Sequence, residues 1–219
     1  GKRLAVKFER FVSMTQVKRT TQKITIKPIG FSGEIYITSG LDFSQIHRNE
    51  RKNLWDCKPG TIEKGEDIFM GIDGTTINTK LKVYSSCKVN AEYESLEEVN
   101  EEKIVAVKLK ANLEDGKDYV LTKVTNNVTL RDDGDLAVYD KEVEAVKSET
   151  ETVCTLYDKL EKENIDWWKK VWDSSDITIA NDPENQQGIR FCIFQMYQTY
   201  HGAVEGTNIG AKGLTGEAY

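Results

Sequence analysis

Glu163-Asn-Ile-Asp-Trp-Trp-Lys-Lys-Val-Trp172, Asp182-Pro-Glu-Asn-Gln-Gln-Gly-Ile-Arg190 and Asn208-Ile-Gly-Ala-Lys-Gly-Leu-Thr-Gly-Glu-Ala-Tyr219 lie close together at the end of the chain. Read locally, they are a Trp-bearing helix, a capped helix and a glycine-rich loop. The middle segment is the clearest. Asp182 offers an N-cap oxygen, Pro183 stands at the first helical position where its missing N–H costs nothing, and Glu184 lies in the positive first turn. Ile189, Cys192, Ile193, Met196, Tyr197 and Tyr200 then recur at helical spacing as one apolar face, and Gly202 ends the run.

Outward from this helix, the hydrophobic period divides the chain. Leu4, Val6 and Phe8 alternate with Ala5, Lys7 and Glu9, and Ile24 and Ile26 repeat the pattern. Pro28 to Gly33 reads as a turn, after which Ile35 and Ile37 alternate with Tyr36 and Thr38 up to Gly40. Further strands are expected around Ile68–Met70, Thr76–Ser85, Ile104–Lys110 and Tyr119–Leu130, with Asp73-Gly74 as a tight-turn signal. No helical period separates these runs, so the sheets should be antiparallel. Residues 44–60, with Pro59 and Gly60, read as a long surface loop. From Val143 the period becomes helical through Val146, Val153, Tyr157, Leu160, Trp168 and Trp172, with Asn164 a candidate break. Asp176-Ile-Thr-Ile-Ala180 reads as a short extended link. The expected class is α+β: an antiparallel β-sandwich followed by helices.

The charge balance limits the partners. A net charge of -6 and a pI near 5.2 argue against nucleic acid, which selects a basic surface. No apolar run is long enough to cross a membrane as a helix. The start, Gly1-Lys-Arg-Leu-Ala-Val, holds neither Met nor a signal core, and reads as an internal cut or a tag scar. Cys57, Cys87, Cys154 and Cys192 form no C-x-x-C pair, so buried reduced thiols are expected rather than a zinc site. The localisation that follows is cytoplasmic.

Several patterns invite a chemical reading and lose it on spacing. Lys212 among Gly206, Gly210, Gly213 and Gly216 is followed by Gly213, so no phosphate loop of the G-x-x-x-x-G-K-[ST] type occurs. His47 and His201 stand far from any nucleophile elbow. The acidic pairs Glu97-Glu98, Glu101-Glu102 and Asp132-Asp133 sit in polar runs and read as solvated surface. Asn127-Val-Thr129 matches a glycosylation sequon, a three-residue pattern with no secretion signal behind it. Trp167, Trp168 and Trp172 suit sugar stacking, but Trp168 and Trp172 at i, i+4 read first as packing anchors. Trp55, isolated in a charged loop after Arg48 and Arg51, is the aromatic most free to face a neighbouring surface.

Taken together, the tryptophans before Ser175-Asp-Ile177, the Asp182-Pro-Glu-Asn-Gln-Gln-Gly-Ile-Arg-Phe191 helix start and the Asn208–Tyr219 loop resemble glycoside hydrolase family 65, the inverting disaccharide phosphorylases acting on maltose, trehalose, kojibiose or nigerose. The upstream Glu9-Arg-Phe-Val-Ser-Met14 and Ile24–Asp42 segments resemble the later part of that family's sandwich. The resemblance implies a sandwich over 1–140, a helical linker over 141–180 and the start of an (α/α)6 catalytic barrel over 181–219. It implies phosphorolysis of an α-linked glucose disaccharide to β-glucose 1-phosphate, with inorganic phosphate as co-substrate, no metal and no organic cofactor. Disaccharide and phosphate are the implied partners, within a homodimer of the full-length enzyme. By the same resemblance Lys212, Thr215, Glu217 and Tyr219 lie near the substrate, and Trp55 shapes the acceptor pocket. The family's "GH.FWDTE"-type glucose-site motif and its catalytic glutamate follow beyond Tyr219, so no catalytic residue is assigned here and these 219 residues alone should be inactive. The apolar face of the Asp182 helix then has no barrel partner, and should pack on the sandwich or stay exposed. A non-catalytic carbohydrate-binding or structural sandwich, and a hydrolase of the same architecture, remain alternatives.

Overall fold

Ten strands and three helices form in the computed structural model, which describes residues 1–131 and 134–203. In chain order the strands are β1 (Arg3–Val12), β2 (Arg19–Ile29), β3 (Gly33–Asp42), β4 (Trp55–Cys57), β5 (Thr61–Lys64), β6 (Ile68–Thr76), β7 (Lys82–Ala91), β8 (Ser95–Glu101), β9 (Ile104–Leu113) and β10 (Tyr119–Leu130). The helices are α1 (Leu136–Lys147), α2 (Val153–Ser175) and α3 (Pro183–Thr199). A seven-stranded sheet runs β1-β2-β10-β7-β6-β4, with β5 also paired to β6, and a three-stranded sheet runs β3-β9-β8. Every pairing is antiparallel. The expected sandwich followed by helices is the architecture observed.

The core lies between the sheets. Met70, Val89 and Leu121 of the large sheet belong to one cluster with Val105, Val107 and Leu109 of β9. All six are at most 2% exposed. Side chains buried this far contribute about 1.5–3 kcal/mol each before chain entropy is set against them. From Val107 onward β9 alternates buried odd-numbered residues with the more open Lys108, Lys110 and Asn112, which is why that strand was legible.

The outer face of the large sheet is covered as well. Tyr139 and Val143 of α1 pack on Tyr84 and Val128, while Val153, Leu156, Tyr157 and Leu160 of α2 pack on Val124 and Phe11. Strand β7 is therefore buried on both faces, and Tyr84, Ser85, Ser86 and Cys87 are consecutively buried. The link between α1 and α2 is tied to the sheet: Arg19 pairs with Glu149 at 3.0 Å, and Lys88 Nζ donates to the carbonyls of Glu149 and Glu151. The first turn of α2 is capped by a distant residue, with Val153 N–H donating to Asp67 Oδ2 at 2.7 Å.

Several local expectations are corrected. Asp73-Gly74 is not a turn: it lies inside β6, where Gly74 pairs with both Cys57 and Val83. The chain reverses instead at residues 77–80, where Lys80 takes positive φ and its N–H donates to Thr76 O, so Thr76–Ser85 is not one strand. The loop over 44–60 contains β4, recruited as an edge partner of β6. Strands β5 and β8 were missed because charges dominate Thr61–Lys64 and Ser95–Glu101. Helix α1 starts at Leu136, behind an Asp135 cap, rather than at Val143. Asn164 does not break α2, whose apolar spacing runs on to Val171 and Trp172; the break falls at residues 148–152.

By contact density the chain divides into two compact units, Gly1–Leu160 and Glu161–Tyr219. No helix among the described residues is long and apolar enough to cross a membrane. The four cysteines are free, but only Cys87 is buried: Cys57 is half-buried, and Cys154 and Cys192 are exposed, contrary to the expectation of buried thiols. The Asn127 sequon lies in β10 with β2 and β7 on either side, and its Oδ1 accepts from Ser85 Oγ at 2.6 Å.

Candidate functional site

The sequence candidates Lys212, Thr215, Glu217 and Tyr219 lie outside the described residues. Trp55 and the tryptophans of α2 are described, and they fall in different compact units.

In the second unit the tryptophans form a packing cluster. The Trp168 ring lies 5.9 Å from Trp172 and 5.0 Å from Phe194, and Trp167 lies edge-on to Tyr197 at 5.8 Å and stacked on His201 at 5.5 Å. These contacts join α2 to α3, the packing reading of the Trp168–Trp172 pair. The motif before α3 has its own mechanical logic. Asp182 Oδ1 accepts from Asn185 N–H at 3.0 Å as the predicted N-cap, and Asn181 before it takes positive φ, which asparagine tolerates. Gln186 clamps the extended link, its Oε1 accepting from Ile179 N–H and its Nε2 donating to Ile177 O. Arg190 makes two bonds to Asp176, at 2.8 and 2.6 Å, and holds that carboxyl below its usual range. Asp176, Gln186 and Arg190 therefore latch the link onto the helix. On the apolar face of α3, Ile193 is buried and Ile189 and Tyr197 are half-buried, whereas Cys192, Met196 and Tyr200 are exposed.

In the first unit Trp55 is anchored and half-buried rather than loose on the surface. Its ring meets Phe43 edge-on at 4.9 Å and 81°. Both rings lean on Gly74: a Cβ there would stand 2.9 Å from Phe43 Cε1 and 3.3 Å from Trp55 Cε3. The preceding loop is braced by Asn53. Its Nδ2 donates to the carbonyls of Phe43 and Gln45, and its Oδ1 accepts from Trp55 N–H at 3.0 Å. Beside the rings opens a depression of about 350 Å³, continuous with solvent, whose lining includes Asp42, Gln45, Trp55, Ser85 and Asn127. Asp42 accepts from the Ser44 N–H at 2.7 Å and from Gln45 Nε2 at 3.1 Å. Hydrogen bonds from the Ser44 hydroxyl and amide hold its carboxyl below the usual carboxylate range.

Asp42 and Gln45 were not singled out in sequence, and Asn127 stood out there only as the head of a glycosylation sequon. One signal was available: Asp42 followed two residues later by Ser44 is an Asx-turn pattern that fixes a carboxylate at the end of β3. Nothing in the sequence tied Asn127 to this depression, because only the register of β10 against β7 places it beside Ser85.

The remaining candidates are structural. His47 Nδ1 accepts from Glu50 N–H in an exposed turn, without a nucleophile beside it. Glu97 and Glu98 pair with Lys108 and Lys64 on the surface. Among the described residues no group of His, Cys, Asp or Glu is arranged to hold a metal.

Residues 1–171 match the family model of the N-terminal domain of glycosyl hydrolase family 65, and the chain belongs to that family. It is 30% identical to an α,α-trehalose phosphorylase of Thermoanaerobacter brockii, an alignment covering 100% of this chain and 29% of that protein. Over 63 residues, 29% of this chain and 8% of the relative, it is 48% identical to a maltose phosphorylase of Bacillus subtilis. A solved structure described as a kojibiose phosphorylase from the human microbiome superposes with a TM-score of 0.80 at 26% identity, covering 99% of this chain and 28% of that one. The chain thus spans under a third of the length of these relatives.

Proposed function

We propose that this chain is the sandwich-and-linker part of an inverting glycoside phosphorylase. The full-length enzyme cleaves an α-linked glucose disaccharide with inorganic phosphate and releases β-glucose 1-phosphate. The observation that carries this reading is the family match over residues 1–171, together with alignment along the whole chain to a trehalose phosphorylase.

The chemistry needs one protein carboxylic acid. It gives its proton to the departing glycosidic oxygen as the bond from that oxygen to the anomeric carbon breaks. A phosphate oxygen forms the new bond from the opposite face, which inverts the anomeric centre. Phosphate stands where an inverting hydrolase holds its activated water, so the second carboxylate of such a hydrolase is not required. The acid belongs to residues beyond Tyr219, and α3 is the first helix of the barrel that carries it. In this reading phosphate is the co-substrate, no metal or organic cofactor takes part, and the enzyme works in the cytoplasm as a homodimer. Lys212, Thr215, Glu217 and Tyr219 lie near the bound disaccharide.

The test is release of β-glucose 1-phosphate from maltose, trehalose, kojibiose and nigerose. It compares these 219 residues with a polypeptide extended past Tyr219 through the barrel. Phosphate-dependent release by the longer chain alone is the expected result. Hydrolysis of the same sugars at a rate indifferent to phosphate would overturn the reading, and robust phosphorolysis by the short chain would misplace the acid.

A further inference from the structure

We propose that the depression beside Trp55 is a binding site for one neutral pyranose ring, separate in its residues from any catalytic acid. Three features carry the inference. The first is a fixed apolar wall. Trp55 is held by Phe43, by the Gly74 backbone and by its own N–H bond to Asn53, so its ring is already ordered before a ligand arrives. An ordered aromatic loses little freedom on binding and suits the C–H face of a sugar.

The second feature is a set of donors and acceptors beside that wall. Asn127 Oδ1 is occupied by Ser85 Oγ, and among the described residues its Nδ2 has no hydrogen-bond partner, so two amide protons remain to donate. The Asp42 carboxylate spends three acceptor sites, on the Ser44 amide and hydroxyl and on Gln45, and of its roughly four keeps one for a ligand. Each sugar hydroxyl both donates and accepts, so neighbouring hydroxyls can give a proton to the carboxylate and take one from the amide.

The third feature is charge. Among the described residues neither Lys nor Arg lines the depression, and the one ionised group lining it is the Asp42 carboxylate. Phosphate and sugar phosphates are therefore repelled, while a neutral saccharide is not. The space, about 350 Å³ and open to solvent, holds a single ring without enclosing it. Such a one-sided site binds weakly, with a Kd of about 1–10 mM.

The choice of glucosides as probes rests on the phosphorylase reading; the site itself does not. The experiment is an NMR titration of the 219-residue chain with glucose, maltose, kojibiose and trehalose, with glucose 1-phosphate as the charged comparison. We expect saturable shifts of the Trp55 indole N–H and the Asn127 side-chain amide with the neutral sugars. Gln45→Ala and Asp42→Asn should each weaken binding about 3-fold or more, and Trp55→Ala about 10-fold or more, with unchanged circular dichroism. If Trp55→Ala fails to fold, exposed Gln45 carries the comparison. The proposal is overturned by unsaturated response up to about 100 mM of every neutral sugar. It is equally overturned by shifts that survive Gln45→Ala and Asp42→Asn unchanged, or by tighter binding of glucose 1-phosphate. Phosphorolysis by the longer enzyme is scored separately, so either reading can fail while the other stands.

Discussion

Asp67, in the turn between β5 and β6, accepts the backbone N–H of Val153 at 2.7 Å and so caps a helix that begins 86 residues later in the chain. Its other oxygen accepts from Asn90 Nδ2 at 3.1 Å. A strand-to-strand turn, the end of β7 and the first turn of α2 thus meet at one carboxylate. Thr152 precedes the helix but reaches Thr155 N–H only at 3.5 Å, so the local cap is the weaker one.

Asp67→Ala should therefore destabilise the first unit by about 0.5–2 kcal/mol, the usual cost of a lost cap. Asp67→Asn, which keeps an acceptor, should cost less. Chemical denaturation of both variants checks the order, and equal midpoints for wild type and Asp67→Ala would remove Asp67 from the cap.

Acidification should weaken the tie between the helices and the large sheet. Burial pulls the Glu149 carboxyl upward, but hydrogen bonds from Arg19 and the Glu151 amide, with the charges of Arg19 and Lys88, outweigh it and hold the carboxyl below its usual range. A depressed carboxyl contributes stability that is complete above its unfolded pKa and is lost as pH falls through the folded one. Stability should thus decline as pH drops below about 4.5, and Glu149→Gln should flatten that part of the profile. Unfolding midpoints measured between neutral pH and strong acid decide it; an identical slope in the variant would exclude Glu149 as a contributor.

Gly74→Ala should displace the aromatic pair. The new methyl would stand inside ordinary contact distance of Phe43, whose ring cannot retreat without moving Trp55. The expected cost is about 1–3 kcal/mol, as for other overpacked sites. Near-ultraviolet circular dichroism should change with it, whereas an unaltered spectrum and midpoint would show that the rings can move freely.

Thiol chemistry should divide the cysteines two and two. Burial pushes the Cys87 thiol up to about 11 and raises Cys57 as well, so neither forms thiolate readily near neutral pH. Cys154 and Cys192 are exposed. A disulfide reagent should modify two thiols quickly in the native protein and four after denaturation. Fewer than four in the unfolded, unreduced chain would reveal a bridge.

The sandwich was legible wherever one face is wet. Strand β3 alternates Ile35 and Ile37 with exposed residues, and the inward odd positions of β9 do the same. Legibility failed where strands are covered twice or carry charges. Tyr84 to Cys87 are buried on both faces, which hides the end of the turn before β7, and charge-rich β8 has only Leu96 and Val99 to mark it. Asp73-Gly74 misled because its glycine serves neighbouring aromatic rings rather than a turn. In α3 the cap was readable because it is local, whereas the Gln186 and Arg190 latch needed three-dimensional proximity. At the Trp55 depression the aromatic could be chosen from composition and isolation, but Asn127 arrives through strand register.

The two exposed cysteines fall one in each compact unit, Cys154 before Leu160 and Cys192 after Glu161, while the other two are sheltered. The native chain therefore carries a built-in pair of spectroscopic handles. A nitroxide or a dye on each turns it into a ruler, reading the separation of its two halves and the breadth of that distribution in solution, without a single substitution.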